Sequence, residues 1–293
     1  MTETLSQETV APEEQLGALI GRGRTAEVYH WGPEQVVKLF PATVPAELIE
    51  HEVRVAAALL RAGVPAPRYA GRVQVGNCQG LLFARVAGPS MLEVLTRRPW
   101  LVLALASQLA EVHLAMHRQA SDADLPSQRA ALRTAIEVAS GLPEAIRAHA
   151  LQLLRAVPDG DRICHGDFHP DNVLLTSAGP VVIDWMTATR GCPAADVARP
   201  LLLLRQGGLP PGTSTATALL ARGTRRVVAW RYWHCYQAGS PVRATDLAPW
   251  WVPVMAARLR ETVPADERQR LLRWLATTLP GGRPGGTEQT RVE

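Results

Sequence analysis

The spacing of apolar residues changes near residue 90, and this change limits the chain to a small set of folds. Before that point apolar positions form short strand-like runs, over 17–20, 28–30, 35–40, 69–75 and 81–86. One helix interrupts them, with Pro45 in its first turn and Gly63 just past its end. After Ser90 the spacing is mostly helical, over 91–97, 100–118, 127–139, 143–156, 194–206, 214–237, 246–261 and 264–278. A short strand pair is predicted over 172–176 and 181–184.

These patterns predict an α+β fold with two lobes, a small β-rich N-lobe with one main helix and a larger, mostly helical C-lobe. With 293 residues, the chain is long enough to give two such lobes a core. We expect the N-lobe over 16–86 and the C-lobe over 87–279. Residues 1–15 and 280–293 are expected to be mobile tails.

Charge and cysteine content exclude several classes of protein. The net charge is only +4 and no block of five like charges occurs, so we expect no nucleic-acid partner. The four cysteines include no CxxC pair, which argues against a disulfide framework or a zinc site and fits a reducing compartment. The acidic N-terminus does not resemble a signal peptide, and no apolar run approaches the length of a membrane span. A cytoplasmic protein without a membrane partner is therefore expected.

Two residue types are so rare that their positions attract attention. Of the 31 basic residues 30 are arginine, and Lys38 is the single lysine; asparagine occurs only as Asn77 and Asn172. Arginine cannot replace a compact ammonium group where the chemistry is specific, nor can aspartate replace a neutral amide. Lys38 and Asn172 thereby become candidate functional residues.

Residues 21–28 place two glycines at the tip of a predicted hairpin. Glycine allows backbone N–H groups to approach phosphate oxygens closely, and the pattern resembles the Gly-rich loop of kinases. The alternative is an ordinary hairpin turn. The candidate phosphate-binding residues of this loop are Gly21, Gly23, Thr25, Ala26 and Val28.

Lys38 lies one strand later, on the strand face opposite its two neighbours. A primary ammonium is suited to touch phosphates as a point charge, and it needs a carboxylate to orient it. The next helix offers Glu50 and Glu52 on different faces. Glu52 is favoured and Glu50 is the alternative; a third possibility is that both are exposed surface glutamates.

The segment HGDFHPDNVLL, residues 165–175, carries the most specific motif. Its Asp-to-Asn spacing of five is that of the kinase catalytic loop. The segment resembles the aminoglycoside phosphotransferase and choline kinase family, whose hallmark reads H-G-D-x-H-x-x-N, and the resemblance extends over about residues 21–279. It implies a protein-kinase-like fold in which Asp167 accepts the proton of the attacking hydroxyl and Asn172 binds a metal ion.

The same resemblance makes Asp184, twelve residues after Asn172, the second metal ligand. A carboxylate and an amide oxygen suit Mg²⁺, whose other ligands would be water and phosphate. Gly166 replaces the arginine of the protein-kinase motif, no A-P-E segment follows, and the loop 186–191 is short. These departures favour a small-molecule kinase. Asp196 resembles the buried aspartate that braces the catalytic loop in this family.

Residues 81–88 lie where the family has its inter-lobe hinge. Backbone groups near Ala84 and Val86, with Phe83 beside them, would read the adenine of ATP. The alternative is a buried strand with no ligand, and the two are compatible. The resemblance implies ATP, with GTP as the alternative nucleotide.

The acceptor is predicted to be a small hydroxylated molecule that is neutral or anionic. Between Val197 and Arg260 there are nine arginines and one acid, Asp246, whereas a pocket for a polycationic aminoglycoside should carry several carboxylates. Aromatic residues in this region either pack in the core, which is favoured, or stack on the acceptor. They are Trp230, Trp233, His234, Tyr236, Trp250 and Trp251.

Two other classes compete with a small-molecule kinase. A non-catalytic, kinase-shaped nucleotide-binding protein is possible because a fold does not guarantee activity. Alternating His165, Asp167, His169 and Asp171 could form the metal cluster of a hydrolase. A hydrolase would leave the Gly-rich loop, the single lysine and Asp184 unexplained.

Overall fold

The computed structural model describes residues 9–11, 15–23, 25–121, 124–208 and 212–280. The chain divides into two compact units. The sheet unit comprises the residues up to Ser90 together with Asn172–Met186, and the helical unit comprises Met91–Asp171 and the residues from Thr187 onward. This composition confirms the predicted α+β class.

The sheet unit contains a six-stranded sheet in the order β1-β5-β6-β4-β3-β2, with one long helix, α1. Adjacent strands are antiparallel except for β1 and β5, which are parallel. Helix α1 ends at Gly63, whose φ of 68° is the left-handed conformation that glycine adopts without strain. The bounds are β1 Thr9–Ala11, β2 Leu19–Arg22, β3 Glu27–Trp31, β4 Gln35–Phe40, α1 Ala46–Ala62, β5 Tyr69–Val75 and β6 Cys78–Ala84.

Alternation along β4 separates the side chains of the sheet into two groups. Val37 and Leu39 pack on one face with Val73 and Val75 of β5. Phe40 belongs to a second cluster, formed by Ala26, Ile49 and Leu81. A strand places successive side chains on opposite faces, so a polar residue at position 38 lies away from the first cluster.

A hairpin formed by β8, Val173–Thr176, and β9, Gly179–Val182, belongs to the sheet unit. The amide of Leu175 donates to the carbonyl of Pro89 at 2.9 Å, and the amide of Val182 donates to the carbonyl of Pro65 at 3.0 Å. A Cβ atom at Gly88 would overlap the carbonyl oxygen of Leu175, so only glycine permits this close approach. These contacts explain why the unit extends to Ser90 and includes Asn172–Met186, beyond the predicted boundary of 16–86.

The helical unit contains nine helices and a small two-stranded sheet among its described residues. Helix α3 packs along α7, and both contribute side chains to the core. The helices are α2 Met91–Arg97, α3 Val102–Arg118, α4 Gln128–Glu137, α5 Glu144–Ala156, α6 Pro193–Gln206, α7 Thr215–Ala238, α8 Ala244–Leu247, α9 Trp251–Arg258 and α10 Ala265–Thr277, and the strands are β7 Arg162–Cys164 and β10 Thr189–Gly191.

The helical segment Pro99–Arg118 has a length and composition that would allow it to cross a membrane, which the sequence analysis did not anticipate. Short interruptions in the apolar run hide this property when only unbroken runs are considered. In the structure 39% of its most apolar window is buried, and its last two turns carry the buried polar residues His113 and His117. Both histidines are paired inside the helical unit, as a core helix requires.

Several predicted boundaries are wrong. Residues 9–11 form β1 within the predicted tail 1–15, because their backbone pairs with β5. Residues 246–261 are not one helix: a 3₁₀ turn, Ala248–Trp250, separates α8 from α9, and Pro249 in that turn has no N–H to donate. Strand β9 ends two residues before Asp184. The rest of the predicted tails, 1–8, 12–14 and 281–293, lies outside the described residues.

Candidate active site

Lys38 is held by a carboxylate inside the sheet unit. Its Nζ atom lies 2.7 Å from Oε1 of Glu52 on α1 and 3.5 Å from Oδ1 of Asp184. Only 14% of the lysine side chain is exposed, and Nζ lies 5.7 Å from the ring centroid of Phe40. The predicted pairing of Lys38 with Glu52 is confirmed, and we call Lys38, Glu52 and Asp184 the lysine cluster.

Glu50 has a different partner. It forms a two-point ion pair with Arg72 of β5, in which Nη2 and Oε2 are 2.6 Å apart. The hydrogen bonds from Arg72 lower the pKa of Glu50 despite a small opposing effect of burial. The alternative pairing of Lys38 with Glu50 is therefore excluded.

Glu52 is buried, and its environment is only partly neutralised. Burial raises the pKa of its carboxyl group, the Lys38 ammonium opposes this, and the charge of Asp184 adds to the rise. Among the residues that the structure describes, Oε2 of Glu52 has no hydrogen-bond partner. The contact of the other oxygen, Oε1, with Nζ of Lys38 fixes the direction of the ammonium group.

Asp184 follows the second strand of the β8–β9 hairpin and Asn172 precedes the first. The amide of Ile183 donates to the carbonyl of Asn172 at 2.9 Å, so the open end of the hairpin brings the two residues alongside each other. Asp184 has a φ of 60°, the only positive value of a non-glycine residue in the described part of the chain. Such strain is typical of functional positions. Its side chain is 55% exposed, and the hard oxygen donors of the pair fit Mg²⁺.

The Gly-rich segment forms the turn between β2 and β3, as predicted. The amide of Gly23 donates to the carbonyl of Ala26 at 2.8 Å, and the Thr25 hydroxyl donates to Sδ of Met186 at 3.4 Å. Val28 lies directly opposite Lys38 in the β3–β4 ladder. Residue 24 lies outside the described residues. Gly21 lies in β2, and the phosphate-binding role of this loop stays a prediction.

The predicted hinge begins at the end of β6. The Phe83 ring packs edge-on against Tyr69, with centroids 5.9 Å apart. The amide of Ala84 donates to the carbonyl of Arg68 at 2.8 Å, which leaves that N–H unavailable to a ligand. Backbone recognition of a base would therefore fall to the carbonyl of Ala84 and to the backbone of Val86.

Asp196 on α6 braces the start of the predicted catalytic loop, as expected. Its Oδ2 accepts a hydrogen bond from the amide of His165, and its Oδ1 accepts one from the amide of Gly166, both at 2.7 Å. Gly166 has a φ of 79°, and a Cβ atom there would lie 2.6 Å from the carbonyl oxygen of Thr187. The glycine of the motif is thus required by the backbone path of the loop.

Four more buried side chains complete the surroundings of Asp196. Nε2 of His113 and of His117 each donate to Oδ2 at 3.1 Å, while the hydroxyls of Tyr232 and Tyr236 lie 2.6 and 2.7 Å from the Nδ1 atoms. Burial lowers the pKa of His113 to about 3, so this imidazole is neutral. Burial alone would raise the pKa of Asp196, but the histidine hydrogen bonds outweigh it and hold that pKa well below its usual range. We call these five residues the aspartate hub.

Asp167 is paired with Arg199, one turn beyond Asp196 on α6. The guanidinium donates to Oδ1 of Asp167 from Nη2 at 2.9 Å and from Nε at 3.3 Å, and Nη2 lies 2.6 Å from Oε1 of Glu261. Burial would raise the pKa of Asp167, but the charges of Arg199 and His169 outweigh it and lower that pKa. Sequence reasoning missed Arg199 and Glu261; the helical spacing from Asp196 was the only signal for Arg199.

The four residues of the hydrolase alternative do not gather around a metal position. Nδ1 of His165 accepts the amide of Asp167 at 3.2 Å, and Nδ1 of His169 accepts the amide of Asp171 at 3.3 Å. Within the described ranges, the one set of three such ligands with metal-like spacing is His113, His117 and Asp196. The loop histidines thus support the backbone of the loop.

Most of the aromatic residues considered for acceptor stacking are in the core. Trp233, Tyr236, Trp250 and Trp251 are buried, so the core interpretation is confirmed for them. Trp230 is 46% exposed, and its ring lies 4.7 Å from that of His234.

Several of the nine arginines counted toward an anionic acceptor bind groups of the protein itself. Arg225 donates to the carbonyl of Gly207, Arg243 to the carbonyl of Ser240, and Arg231 to the hydroxyl of Ser107. Arg199 and Arg258 pair with carboxylates. The ion pairs of Arg199 and Arg258 reduce the positive charge that an acceptor would meet, whereas the three arginines that bind neutral groups keep their charge.

Residues 17–238 match the model of the phosphotransferase enzyme family. An aminoglycoside-3′-phosphotransferase of type VIII is 19% identical, with a TM-score of 0.53 over 83% of this chain and 94% of that one. The ADP-bound aminoglycoside phosphotransferase APH(2″)-Ib is 13% identical, with a TM-score of 0.51 over 89% and 91%. The macrolide 2′-phosphotransferase MphH from Brachybacterium faecium is 19% identical, with a TM-score of 0.50 over 90% and 92%. No curated protein sequence matches. The likeness to these structures confirms the predicted kinase-like fold.

Proposed function

Because the chain belongs to the phosphotransferase enzyme family, we propose that it transfers the γ-phosphate of ATP to a hydroxyl group of a small molecule, with Mg²⁺. The observation that carries this proposal is the position of the only lysine. Its ammonium group lies between a buried glutamate at 2.7 Å and the exposed carboxylate of Asp184 at 3.5 Å. A charge fixed in this way is suited to bind the phosphates of a nucleotide.

The sheet unit would hold the triphosphate. Lys38 would contact phosphate oxygens while Glu52 keeps the ammonium in place, and backbone amides of residues 21–28 would cover the phosphates. Asn172 and Asp184 would hold Mg²⁺, which when bound neutralises charge on the phosphoryl group. The hinge would bind adenine through the carbonyl of Ala84 and the backbone of Val86.

Asp167 would orient the acceptor hydroxyl and take its proton. In the reaction the bond between the γ-phosphorus and its bridging oxygen breaks and a bond to the acceptor oxygen forms. Because the pKa of Asp167 is lowered, its carboxylate is ionised at neutral pH and ready to accept this hydrogen bond. Positioning of the hydroxyl is then its main contribution.

For the acceptor we propose a neutral or anionic molecule. The carboxylates that follow Asp167 in its ion network, Glu261 and Glu267, are both paired with Arg258. Paired carboxylates leave little negative charge for the ammonium groups of a polycation. An acceptor screen should include an aminoglycoside and a macrolide, the substrate classes that name the structural neighbours, beside neutral polyols and sugar phosphates.

The test compares wild-type protein with Asp167→Asn. We expect Mg²⁺-dependent ATP binding and slow ATP hydrolysis in the wild type. The right acceptor should increase the rate of ADP release. Asp167→Asn should keep nucleotide affinity within about twofold and lower turnover by roughly 100-fold or more. The same assays with GTP decide the nucleotide.

The other outcomes identify the competing classes. Nucleotide binding without turnover under any acceptor would favour a non-catalytic binding protein. Release of phosphate from a monoester in the absence of nucleotide would favour a hydrolase. Unchanged turnover in Asp167→Asn would remove that residue from its role.

A further inference from the structure

We propose that Glu261, from the segment that follows the family-matched region, is a positioning residue that acts on Asp167 through Arg199. The inference rests on the proposed function, because it concerns the carboxylate that would receive the acceptor proton. The family match ends at residue 238, whereas Glu261 lies between α9 and α10. Glu261 therefore lies 23 residues beyond the end of the matched range.

One guanidinium joins the two carboxylates. Nη2 of Arg199 lies 2.9 Å from Oδ1 of Asp167 and 2.6 Å from Oε1 of Glu261. The arginine side chain is only 9% exposed, so its charge depends on these partners more than on water. Burial would lower the pKa of the Arg199 guanidinium, but the negative charges of Glu261 and Asp167 outweigh burial and raise it, so the side chain stays charged.

Arg199 directs its contacts to a single oxygen of Asp167. Both Nε and Nη2 donate to Oδ1. Two donors on one oxygen restrict rotation of the carboxylate about its Cβ–Cγ bond, and this rotation decides which lone pair an acceptor hydroxyl would meet. Restriction of this kind is what a reaction that depends on orientation requires.

Glu261 is itself fixed from α9 and α10. Arg258 donates to Glu261 through Nη1 and to Oε1 of Glu267 through Nε, the latter at 2.9 Å. Glu267 is 2% exposed and its Oε2 accepts the amide of Gly208 at 2.7 Å. The result is an alternating chain of five charges that ends at the buried Glu267 of α10, so Glu261 cannot shift without breaking a partly buried ion pair.

Without Glu261, the remaining carboxylate partner of Arg199 among these five charged residues would be Asp167. The guanidinium would then turn toward Asp167 and bind it in the two-oxygen geometry that arginine and carboxylate prefer. Asp167 would keep its charge and lose its orientation. Turnover should fall while nucleotide binding, which involves the sheet unit, stays the same.

The experiment uses the full-length protein and ATP hydrolysis with water as acceptor. Glu261→Gln and Arg199→Gln are compared with Asp266→Asn, a control that breaks the exposed pair with Arg270 on α10. For each variant kcat, the Kd of MgADP and the melting temperature are measured. We expect kcat to fall about 10-fold in Glu261→Gln and about 100-fold in Arg199→Gln, with the Kd within about twofold and Asp266→Asn unchanged.

Two further variants separate positioning from simple support of the fold. Arg199→Lys should recover part of the loss in Arg199→Gln, since one ammonium can reach Oδ1 but cannot fix it as a fork does. Adding Glu261→Gln to Arg199→Gln should cost less than twofold more, because Glu261 acts through Arg199. If Arg199→Gln does not fold, Glu261→Gln and Arg199→Lys take over the test.

Each result decides the proposal. Wild-type kcat in Glu261→Gln, an equal loss in Asp266→Asn, or a full additional 10-fold loss in the double variant would overturn the inference and leave the proposed function standing. A wild-type protein that shows no Mg²⁺-dependent hydrolysis, with or without acceptors, would overturn the proposed function and this inference with it.

Discussion

The lysine cluster of the sheet unit and the aspartate hub of the helical unit both place carboxylates beside nitrogen groups, yet their polar atoms are paired to different degrees. In the hub, Asp196 accepts four hydrogen bonds from two histidines and two backbone amides, and every partner is at least nine-tenths buried or part of the loop backbone. In the cluster one oxygen of Glu52 has no partner in the described part of the chain, and Asp184 is 55% exposed.

This difference supports a structural role for the hub and is consistent with the binding role proposed for the lysine cluster. The polar atoms of the hub are buried and already hydrogen-bonded, so they offer no group for a ligand to bind. The hub instead fixes the loop that carries Asp167. A cluster with free acceptors, an accessible carboxylate and a strained backbone retains capacity for a cation and for phosphate. Substitutions in the lysine cluster should therefore lower turnover, whereas substitutions in the aspartate hub should lower stability.

The largest expected effect is on turnover in Asp184→Asn. Loss of the carboxylate removes the group that we propose as a Mg²⁺ ligand, and ATP hydrolysis should fall about 1000-fold, equivalent to about 4 kcal/mol of transition-state stabilisation. Asparagine tolerates the φ of 60° at this position, so the melting temperature should stay within about 2 °C. Steady-state kinetics and thermal melting measure both. Retention of most of the activity would break the assignment of the lysine cluster to catalysis.

Asp196→Asn should mainly lower the stability of the protein. An amide cannot accept all four hydrogen bonds, and its NH₂ group would face N–H donors, so unfolding free energy should fall by about 3–5 kcal/mol. Urea denaturation is the measurement, with Asp184→Asn as the matched control. A loss below about 1 kcal/mol would mean that the hub is not the structural centre described above.

The smallest effect is a dependence of stability on pH. Folded His113 has a pKa of about 3 against an ordinary value near 6.5, so below pH 6.5 the unfolded chain takes up a proton that the folded chain refuses. The free energy of unfolding should therefore decrease as the pH is lowered below 6.5, by up to about 1.4 kcal/mol per pH unit for this residue. His51 and His169, whose pKa values burial also lowers, add to the slope with the same sign.

Denaturation curves between pH 7 and pH 5 measure this slope. His113→Asn should reduce it by up to one proton, whatever its effect on stability at pH 7, while Asp184→Asn should leave it unchanged. A flat profile in the wild-type protein would contradict a neutral, buried His113.

Site residues could be predicted where they are rare in the composition or belong to a recognisable motif. The scarcity of lysine singled out Lys38, and helical spacing favoured Glu52 over Glu50 for the pair that the structure contains. Asp196 could be assigned because the residues around it resemble those of the buried aspartate in the phosphotransferase family. In each case the rarity of the residue, its spacing or its motif made it recognisable.

Contacts between distant segments could not be predicted in this way. Glu261 meets Arg199 across 62 residues, and nothing in the helical period of either segment indicates the partner. Strand β1 has three residues, and only its pairing with β5 makes it a strand. Pro249 offered a signal that the helix 246–261 would break, which the apolar periodicity on either side obscured.

The β8–β9 hairpin sets limits on how the sequence can drift. Its two-residue turn, at positions 177 and 178, is exposed, so extra residues there would change nothing at the open end, where Asn172 and Asp184 lie. A single deletion within either strand would turn every following side chain to the other face. Insertions should therefore accumulate at the tip among relatives, and the turn is a suitable place to attach a tag without disturbing Asn172 and Asp184.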